Sequence, residues 1–138
     1  MRSTGTSAFV LDSWAVIAYL EGETASEKVA DIISDAHSRS RKLLISVVNA
    51  AEVWYIVARE TTISDADESI RQLRELGVEF IDADWEISND AGRFKAANKM
   101  SLADAYAAAL AKRRKATLVT GDYEFKAIEN EISIDWLR

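Results

Sequence analysis

The chain of 138 residues contains no cysteine, no proline and a single histidine, His37. Without cysteine it can form neither a disulfide framework nor a thiolate zinc site. One histidine also excludes a multi-histidine zinc centre and an H-E-x-x-H metalloprotease helix. His37 lies in the polar stretch Asp35-Ala36-His37-Ser38-Arg39, where no nucleophile–base–orienter arrangement is recognisable, so we expect an exposed helix residue there. A metal ion bound by this chain must be held by oxygen, which favours magnesium or manganese.

Long apolar runs are also missing. The segment from Phe9 to Leu20 is interrupted by Asp12 and Ser13, and no stretch approaches the roughly 20 apolar residues that a membrane span needs. No secretory signal is recognisable, so we expect a cytoplasmic protein with no membrane partner. The length and an apolar content of 49% predict one compact domain over residues 1–138, with residues 1–7 as a flexible tail.

Positive charge is in the minority, because 17 lysine and arginine residues face 23 aspartate and glutamate residues, for a net charge of −6. Broad, non-specific coating of nucleic acid is therefore disfavoured, since phosphate binding relies on lysine and arginine. Local basic patches remain at 39–42 and at 112–115. The second patch is better explained as a solvated helix end, where cations are favourable without any ligand.

Strand-like and helix-like segments alternate along the chain. Short apolar runs predict strands at 9–12, 43–46, 78–81, 116–120 and 132–136. Amphipathic or apolar patterns predict helices at 13–20, 24–37, 49–60, 64–76, 84–97, 101–112 and 124–128. Ser13 is expected to cap the first helix, Thr24 and Glu27 to form a capping box for the second, and Gly77 to end the fourth. The alternation predicts an α/β fold, a three-layer α/β/α sandwich with a mainly parallel central sheet.

Four carboxylates stand isolated in stretches that are otherwise apolar or uncharged: Asp12, Glu52, Asp104 and Asp122. A carboxylate among buried neighbours is costly unless it is paired, hydrogen-bonded or bound to a metal. Asp12 and Asp122 come at the ends of predicted strands, and Glu52 and Asp104 lie in the first turns of predicted helices. Strand carboxyl ends and helix amino ends share one edge of a parallel sheet, where ligands of open α/β folds bind. We therefore expect the four side chains to meet there and form one metal site.

Local capping is the alternative explanation for three of these residues. Ser101 with Asp104, and Asn49 with Glu52, have the spacing of a capping box, and Asp122 has the context of a turn residue. At about 5 Å and an effective dielectric near 20, each pair of carboxylates would repel by about 3 kcal/mol. A cluster therefore requires protons or a divalent cation, whereas isolated caps do not.

Four sequence segments, in this order and spacing, resemble those of PIN domains, and more narrowly those of the VapC toxins of bacterial and archaeal toxin–antitoxin pairs. The segments are Val10-Leu11-Asp12-Ser13, Ser46 to Val53, Leu102-Ala103-Asp104-Ala105, and Leu118-Val119-Thr120-Gly121-Asp122 with Phe125 soon after. The resemblance covers nearly the whole chain. It departs at Trp14, where a smaller or polar residue is common in the family.

The resemblance implies an endoribonuclease that cleaves RNA phosphodiesters with the help of bound magnesium or manganese. The implied catalytic and metal-binding residues are Asp12, Glu52, Asp104 and Asp122. Ser13 and Thr120 match hydroxyl residues that would help to position a carboxylate or a water, and ordinary capping is an equal alternative for both. The implied RNA products carry 5′-phosphate and 3′-hydroxyl ends.

A cognate antitoxin and a homodimer are the protein partners that the resemblance implies. A segment of the antitoxin would cover the pocket and insert a cation among the carboxylates. Candidate contact residues for either partner, with ordinary core packing as the alternative, are Trp54, Tyr55, Ile56, Ile70, Leu73 and Leu76.

Two other functions remain open at this point. One is a PIN-type nuclease for RNA processing or DNA flaps that is not a toxin. The other is a non-catalytic protein-interaction module that kept the fold, although all four acidic positions are filled.

Overall fold

A computed structural model describes residues 6–22 and 24–138. Within these ranges the strands are β1 (Ala8–Leu11), β2 (Lys42–Ser46), β3 (Val78–Ile81), β4 (Thr117–Thr120) and β5 (Ser133–Trp136). The helices are α1 (Ser13–Leu20), α2 (Ser26–Ser38), α3 (Val47–Glu60), α4 (Ile63–Glu75), α5 (Trp85–Ala97) and α6 (Leu102–Arg114), with a 3₁₀ helix at Tyr123–Ile128. Residues 1–5 of the predicted tail lie outside the described residues.

The strands form one parallel sheet in the order β3-β2-β1-β4-β5. Successive side chains of a strand point to opposite faces, and here they divide into two cores. Val10, Leu44 and Leu118 pack with α5 and α6, whereas Phe9 and Val119 pack with α1 to α4. The predicted three-layer sandwich with a parallel central sheet is confirmed.

Helix α6 lies at the centre of the fold, as its nearly all-apolar sequence predicted. It packs against β1, β2 and β4 and against the neighbouring helices α3 and α5. Such close approach requires small side chains on most of its surface, and five alanines are at most 1% exposed: Ala105, Ala107, Ala108, Ala109 and Ala111. Alanine also has the highest helix propensity, so the same residues favour the helix and its burial.

The start of α1 differs from the prediction. Asp12, rather than Ser13, is the N-cap, and its Oδ1 accepts a hydrogen bond from the Ala15 N–H at 2.8 Å. The backbone of Asp12 is still extended where β1 ends, which is the conformation that an N-cap requires.

The starts of α2 and α3 also differ from the predictions. Helix α3 begins two residues earlier than expected, because Ser46 ends β2 and its hydroxyl accepts from the Val48 N–H at 3.2 Å. Asn49 is therefore inside the helix and is not a cap. Helix α2 follows Ala25, which makes no side-chain cap hydrogen bond, so the predicted capping box of Thr24 and Glu27 is wrong.

Other local predictions agree with the structure. Gly77 follows α4 with a φ of +85°, a left-handed conformation that suits glycine at a helix end. His37 is exposed on α2, and its Nε2 lies 2.7 Å from the carbonyl oxygen of Leu76. At the basic end of α6, Lys112 lies over the Phe94 ring and Arg113 forms an ion pair with Asp90. Both cations therefore have partners within the chain, in agreement with the prediction of a helix end that needs no ligand.

The six candidate partner-contact residues have different environments. Leu73 is 1% exposed and belongs to the core, so its assignment to a contact surface is wrong. Trp54 is partly buried and donates through Nε1 to Asp67 at 2.9 Å. Tyr55 is 43% exposed. Over residues 6–22 and 24–138, every helix is too short or too polar to cross a bilayer.

The tight packing of α6 leads to a first prediction. Ala108→Leu should lower the free energy of unfolding by about 1–3 kcal/mol, because the added side chain overpacks a filled core. Urea denaturation measures the change. Ala96→Leu, at an exposed position of α5, is the matched control and should alter stability by less than about 0.5 kcal/mol. Equal effects of the two substitutions would contradict the central position of α6.

Candidate metal centre

The isolated carboxylates lie at the carboxyl edge of the sheet. Asp12 follows β1 and Asp122 follows β4, and these two strands are adjacent. Asp104 is in the first turn of α6. Glu52 is in the second turn of α3, not the first as predicted, because that helix begins early.

A cavity of about 450 Å³ opens at this edge. Its acidic lining comes from Glu52, Asp104, Asp122 and Glu124. The rest of the lining consists of Ser13, Trp14, Ile17, Ile56 and Ser101. Asp12 is 1% exposed and lies outside this lining, although its charge acts on the same group of carboxylates.

Three of the acidic side chains lie close enough together to contact one metal ion. One carboxylate oxygen each from Asp104, Asp122 and Glu124 lies within 4.8 Å of the other two. Oxygens bound to one Mg²⁺ at about 2.0–2.1 Å are separated by at most roughly 4.2 Å. Adjacent oxygens on such an ion are only about 2.9 Å apart, so side-chain shifts of about 1 Å would bring these oxygens around one divalent ion, and an all-oxygen donor set suits magnesium or manganese.

Asp12 is held by hydrogen bonds to both of its oxygens. The Ala15 N–H donates to Oδ1, and the Thr120 hydroxyl donates to Oδ2. The Asp122 N–H in turn donates to the Thr120 hydroxyl oxygen at 2.9 Å. Thr120 therefore connects the two aspartates that end the adjacent strands, and it fixes the orientation of the buried carboxyl group.

Crowding and burial favour the protonated forms of two of these carboxyl groups. Burial raises the pKa of Asp12 to about 7, although the hydrogen bonds from Thr120 and Ala15 act in the opposite direction. Burial likewise raises the pKa of Asp104 to about 8, with the charges of Asp122 and Asp12 adding to the effect. Without a cation the site holds protons near neutral pH, and a bound divalent ion would replace them. The residues present therefore fit the metal that the sequence predicted.

Ser13 and Asn49 join the helices that carry the acidic residues. The Asn49 side-chain amide donates to the Ser13 hydroxyl oxygen and to the carbonyl oxygen of Ala103, each at 3.2 Å. The Ser13 hydroxyl donates to the backbone carbonyl of Asn49 at 3.4 Å. Because Asn49 is fully buried, these bonds fix the amino-terminal parts of α1, α3 and α6 against one another.

Trp14 forms one wall of the cavity through a close contact with Gly121. A Cβ atom at Gly121 would lie 2.4 Å from the indole ring of Trp14, closer than real side chains allow. Glycine is therefore required there for the ring to take this position, and not for an unusual backbone angle. Trp14, the departure from the family pattern, thus shapes the cavity without removing an acidic residue.

The capping alternative is correct for the Ser101 hydroxyl but not for the Asp104 carboxyl group. The Ser101 hydroxyl accepts from the Asp104 N–H at 3.1 Å and caps α6. The Asp104 carboxyl group, however, has an oxygen within 4.8 Å of carboxylate oxygens of Asp122 and Glu124, and both neighbours raise its pKa. The Asp122 carboxylate caps the 3₁₀ helix by accepting from the Glu124 N–H at 2.9 Å, so it combines a capping role with a place in the cluster.

Two residues of the site were not identified from the sequence. Glu124 resembles an ordinary first-turn acid of a short helix, and its separation of two residues from Asp122 was the available signal. Asn49 was considered only as a cap. The signal for its role was an amide in an apolar segment, which must find hydrogen-bond partners when it is buried.

Together the parallel sheet and the acidic centre define an α/β domain with a cluster of carboxylates at one edge of its sheet. The PIN domain family model matches residues 9–131, so the chain belongs to the PIN domain family. A comparison with curated protein sequences gave no match.

Solved toxin–antitoxin structures share this fold. VapBC2 of Rickettsia felis, bound to promoter DNA, aligns with a TM-score of 0.75 and 18% identity over 93% of this chain and 97% of that chain. DNA-bound VapBC of Salmonella typhimurium aligns with a TM-score of 0.73 and 18% identity over 95% of this chain and 98% of that chain. The sarcin–ricin loop cleaving toxin VapC20 of Mycobacterium tuberculosis aligns with a TM-score of 0.67 and 16% identity over 88% of this chain and 94% of that chain.

The crowding of carboxylates predicts opposite effects of one substitution with and without metal. Asp104→Asn should raise the melting temperature in chelator near neutral pH, because the amide lies beside the other carboxylates without having to take up a proton, and should reduce the stabilisation by Mg²⁺. Thermal melts in EDTA and in millimolar MgCl₂ measure both effects. Asp31→Asn, an exposed acid on α2, is the control and should change neither. Destabilisation in both buffers would support a capping role alone.

A third prediction concerns pH. Asp12 and Asp104 have folded-state pKa values above the ordinary carboxyl value of 3.8, so their protonated forms favour folding. This contribution is fully present below pH 3.8 and is lost as the pH rises through about 7 and 8. In chelator, the melting temperature of the parent should fall relative to that of Asp104→Asn between about pH 5 and pH 8. Parallel pH profiles for the two proteins would contradict the assignment.

Proposed function

We propose that this chain is a divalent-metal-dependent endoribonuclease of the VapC type, the toxin of a toxin–antitoxin pair that acts in the cytoplasm. The observation that carries the proposal is the group of carboxylate oxygens of Asp104, Asp122 and Glu124 within 4.8 Å at the cavity. Membership of the PIN domain family and the likeness to VapC20, a toxin that cleaves the sarcin–ricin loop, support RNA cleavage.

The acidic residues have distinct proposed roles. Asp104, Asp122 and Glu124 hold the metal directly, and Asp12 acts as a ligand directly or through water. Glu52, which also lines the cavity, is either a further ligand or the base that takes a proton from the attacking water. A magnesium or manganese ion in this position supplies Lewis-acid polarisation of the phosphate and activation of water for in-line attack.

Thr120 and Ser13 are proposed to position the acidic residues and not to react. The Thr120 hydroxyl orients Asp12 through a hydrogen bond, and Ser13 holds the start of α1 against α3 through Asn49. The two interactions keep the carboxylates converging in spite of their repulsion. Such preorganisation lets a phosphate enter a site that is already assembled.

An antitoxin and a second copy of the chain are the proposed protein partners. The VapBC complexes of Rickettsia felis and Salmonella typhimurium are toxin–antitoxin assemblies of the same fold. A cationic side chain of an antitoxin would be attracted by the same carboxylates that attract a metal ion. Tyr55 is the exposed aromatic among the candidate contact residues of α3.

The nuclease proposal is tested by two conservative substitutions. Asp12→Asn and Asp104→Asn should each lower Mg²⁺-dependent RNA cleavage by more than about 100-fold, since each removes a charge that would hold the metal. Asparagine retains an acceptor for the helix cap at position 12, so the fold should persist. Cleavage is measured by mapping new 5′ ends in total RNA, with circular dichroism to check folding and Asp31→Asn as the control. Normal cleavage by both variants would refute the mechanism.

The toxin role needs its own experiment. Expression of the chain should arrest growth, and co-expression of the upstream neighbouring gene should relieve the arrest. Cleavage without any growth effect would favour an RNA-processing nuclease. Absence of both cleavage and a metal-dependent melting shift would favour a non-catalytic interaction module.

A further inference from the structure

A second group of side chains borders the acidic cavity and is aromatic and cationic. Trp14 lines the acidic cavity and also a neighbouring cavity of about 500 Å³, to which Leu137 and Arg138 contribute. The two cavities therefore meet at the indole ring. A ligand bound at the carboxylates therefore lies against a ring that also lines the second cavity.

Arg138 is positioned by three contacts. Its Nε donates to the carbonyl oxygen of Gly121 at 2.8 Å, and its Cζ lies 5.1 Å from the Trp14 ring centroid and 4.7 Å from that of Tyr123. Within the described ranges, no side-chain acceptor engages its terminal nitrogens. The guanidinium group is thus held at the backbone of Gly121, the residue before Asp122, and its Nη atoms can still donate to a ligand.

Tyr123 offers an exposed aromatic face beside this guanidinium group. It is 48% exposed, and its ring centroid lies 5.8 Å from that of Trp136. The Lys126 ammonium lies 5.7 Å from the Tyr123 ring centroid and 5.6 Å from that of Trp136. Two cations therefore lie over exposed or half-exposed rings, and one of these rings belongs to Tyr123, between the cavity-lining residues Asp122 and Glu124.

The surroundings of Arg138 differ from those of the arginines that are paired within the chain. Arg39, Arg71 and Arg113 form ion pairs with acidic side chains of the chain itself. Arg138 instead lies over two rings, in a protein of net charge −6. A planar guanidinium fork suits a phosphate, and a ring face suits a base of any sequence.

We propose that Tyr123, Arg138 and Trp14 form a binding subsite for single-stranded RNA next to the phosphate that is cleaved. A base stacks on the Tyr123 ring, and the Nη groups of Arg138 hold the adjoining phosphate, with Trp14 as the wall between the two cavities. This assignment rests on the proposed nuclease function and adds the residues that hold the substrate. An acidic peptide would suit Arg138 but would leave the exposed Tyr123 ring without a base to stack on it.

Binding is measured separately from cleavage. All variants carry Asp104→Asn, which prevents turnover, and are titrated in MgCl₂ against a fluorescent short single-stranded RNA. An abasic oligonucleotide of equal length and charge is the second probe. Arg74→Ala is the matched control, because Arg74 stacks on the Phe80 ring with a 4.2 Å separation, next to the edge strand β3 and far along the sheet from β4.

The substitutions should act differently on the two probes. Tyr123→Ala should weaken RNA binding at least roughly fivefold and leave abasic binding unchanged, and Tyr123→Phe should retain the affinity of the parent. Arg138→Ala should weaken binding of both probes and lower the slope of log K against log salt by about 0.7, the value for one phosphate contact on a single strand. Arg74→Ala should change neither affinity nor slope.

Several outcomes overturn the subsite. These are a parent that binds no single-stranded RNA, equal affinities for parent and variants, and an unchanged salt slope in Arg138→Ala. Loss of affinity for an antitoxin alone, with RNA binding intact, would make this surface a protein interface. The chain without Asp104→Asn is assayed for Mg²⁺-dependent cleavage in parallel. Cleavage with unaltered binding refutes only the subsite, whereas the expected binding changes without cleavage refute only the nuclease.

Discussion

Mutual repulsion among carboxylates at one edge of the sheet is the constraint on which the rest of the structure depends. Asp12, Asp104 and Asp122 raise one another's energy, and the fold opposes this with contacts that are not acidic. Adjacent parallel strands fix two of the three, and the buried amide of Asn49 joins the helices around them. The free energy gained by burying the two cores on either side of the sheet offsets the cost of this repulsion.

Most of the architecture follows from sequence periodicity, because each element has its own clear pattern. Five short apolar runs gave the strands, and the absence of charge from most of α6 indicated its central place. Helix starts were less predictable, since several serine, threonine or aspartate residues compete to cap each helix. Asp12 caps α1 in place of Ser13, and Ser46 caps α3 in place of Asn49. The reason is that the backbone is still extended at the residue where each strand ends.

The sequence predicted those carboxylates of the candidate site that have no other charged residue near them in the chain. Asp12, Glu52, Asp104 and Asp122 each interrupt an uncharged stretch, and the structure brings them to one edge of the sheet. Glu124 has no such isolation, and its approach to Asp104 depends on the 3₁₀ geometry of the segment after β4. The grouping of Arg138 with Trp14 joins residues from opposite ends of the chain, and no local pattern predicts it.

The contact between Trp14 and Gly121 has a consequence for selectivity. Because the indole ring lies so close to the Gly121 backbone that no Cβ would fit, any side chain at position 121 would displace a wall that both cavities share. The position of this wall depends on contact between an uncharged ring and a glycine, whereas the state of Asp12 and Asp104 depends on protons and neighbouring charges. The size of a ligand that fits and the charge that it meets are thus set by separate residues.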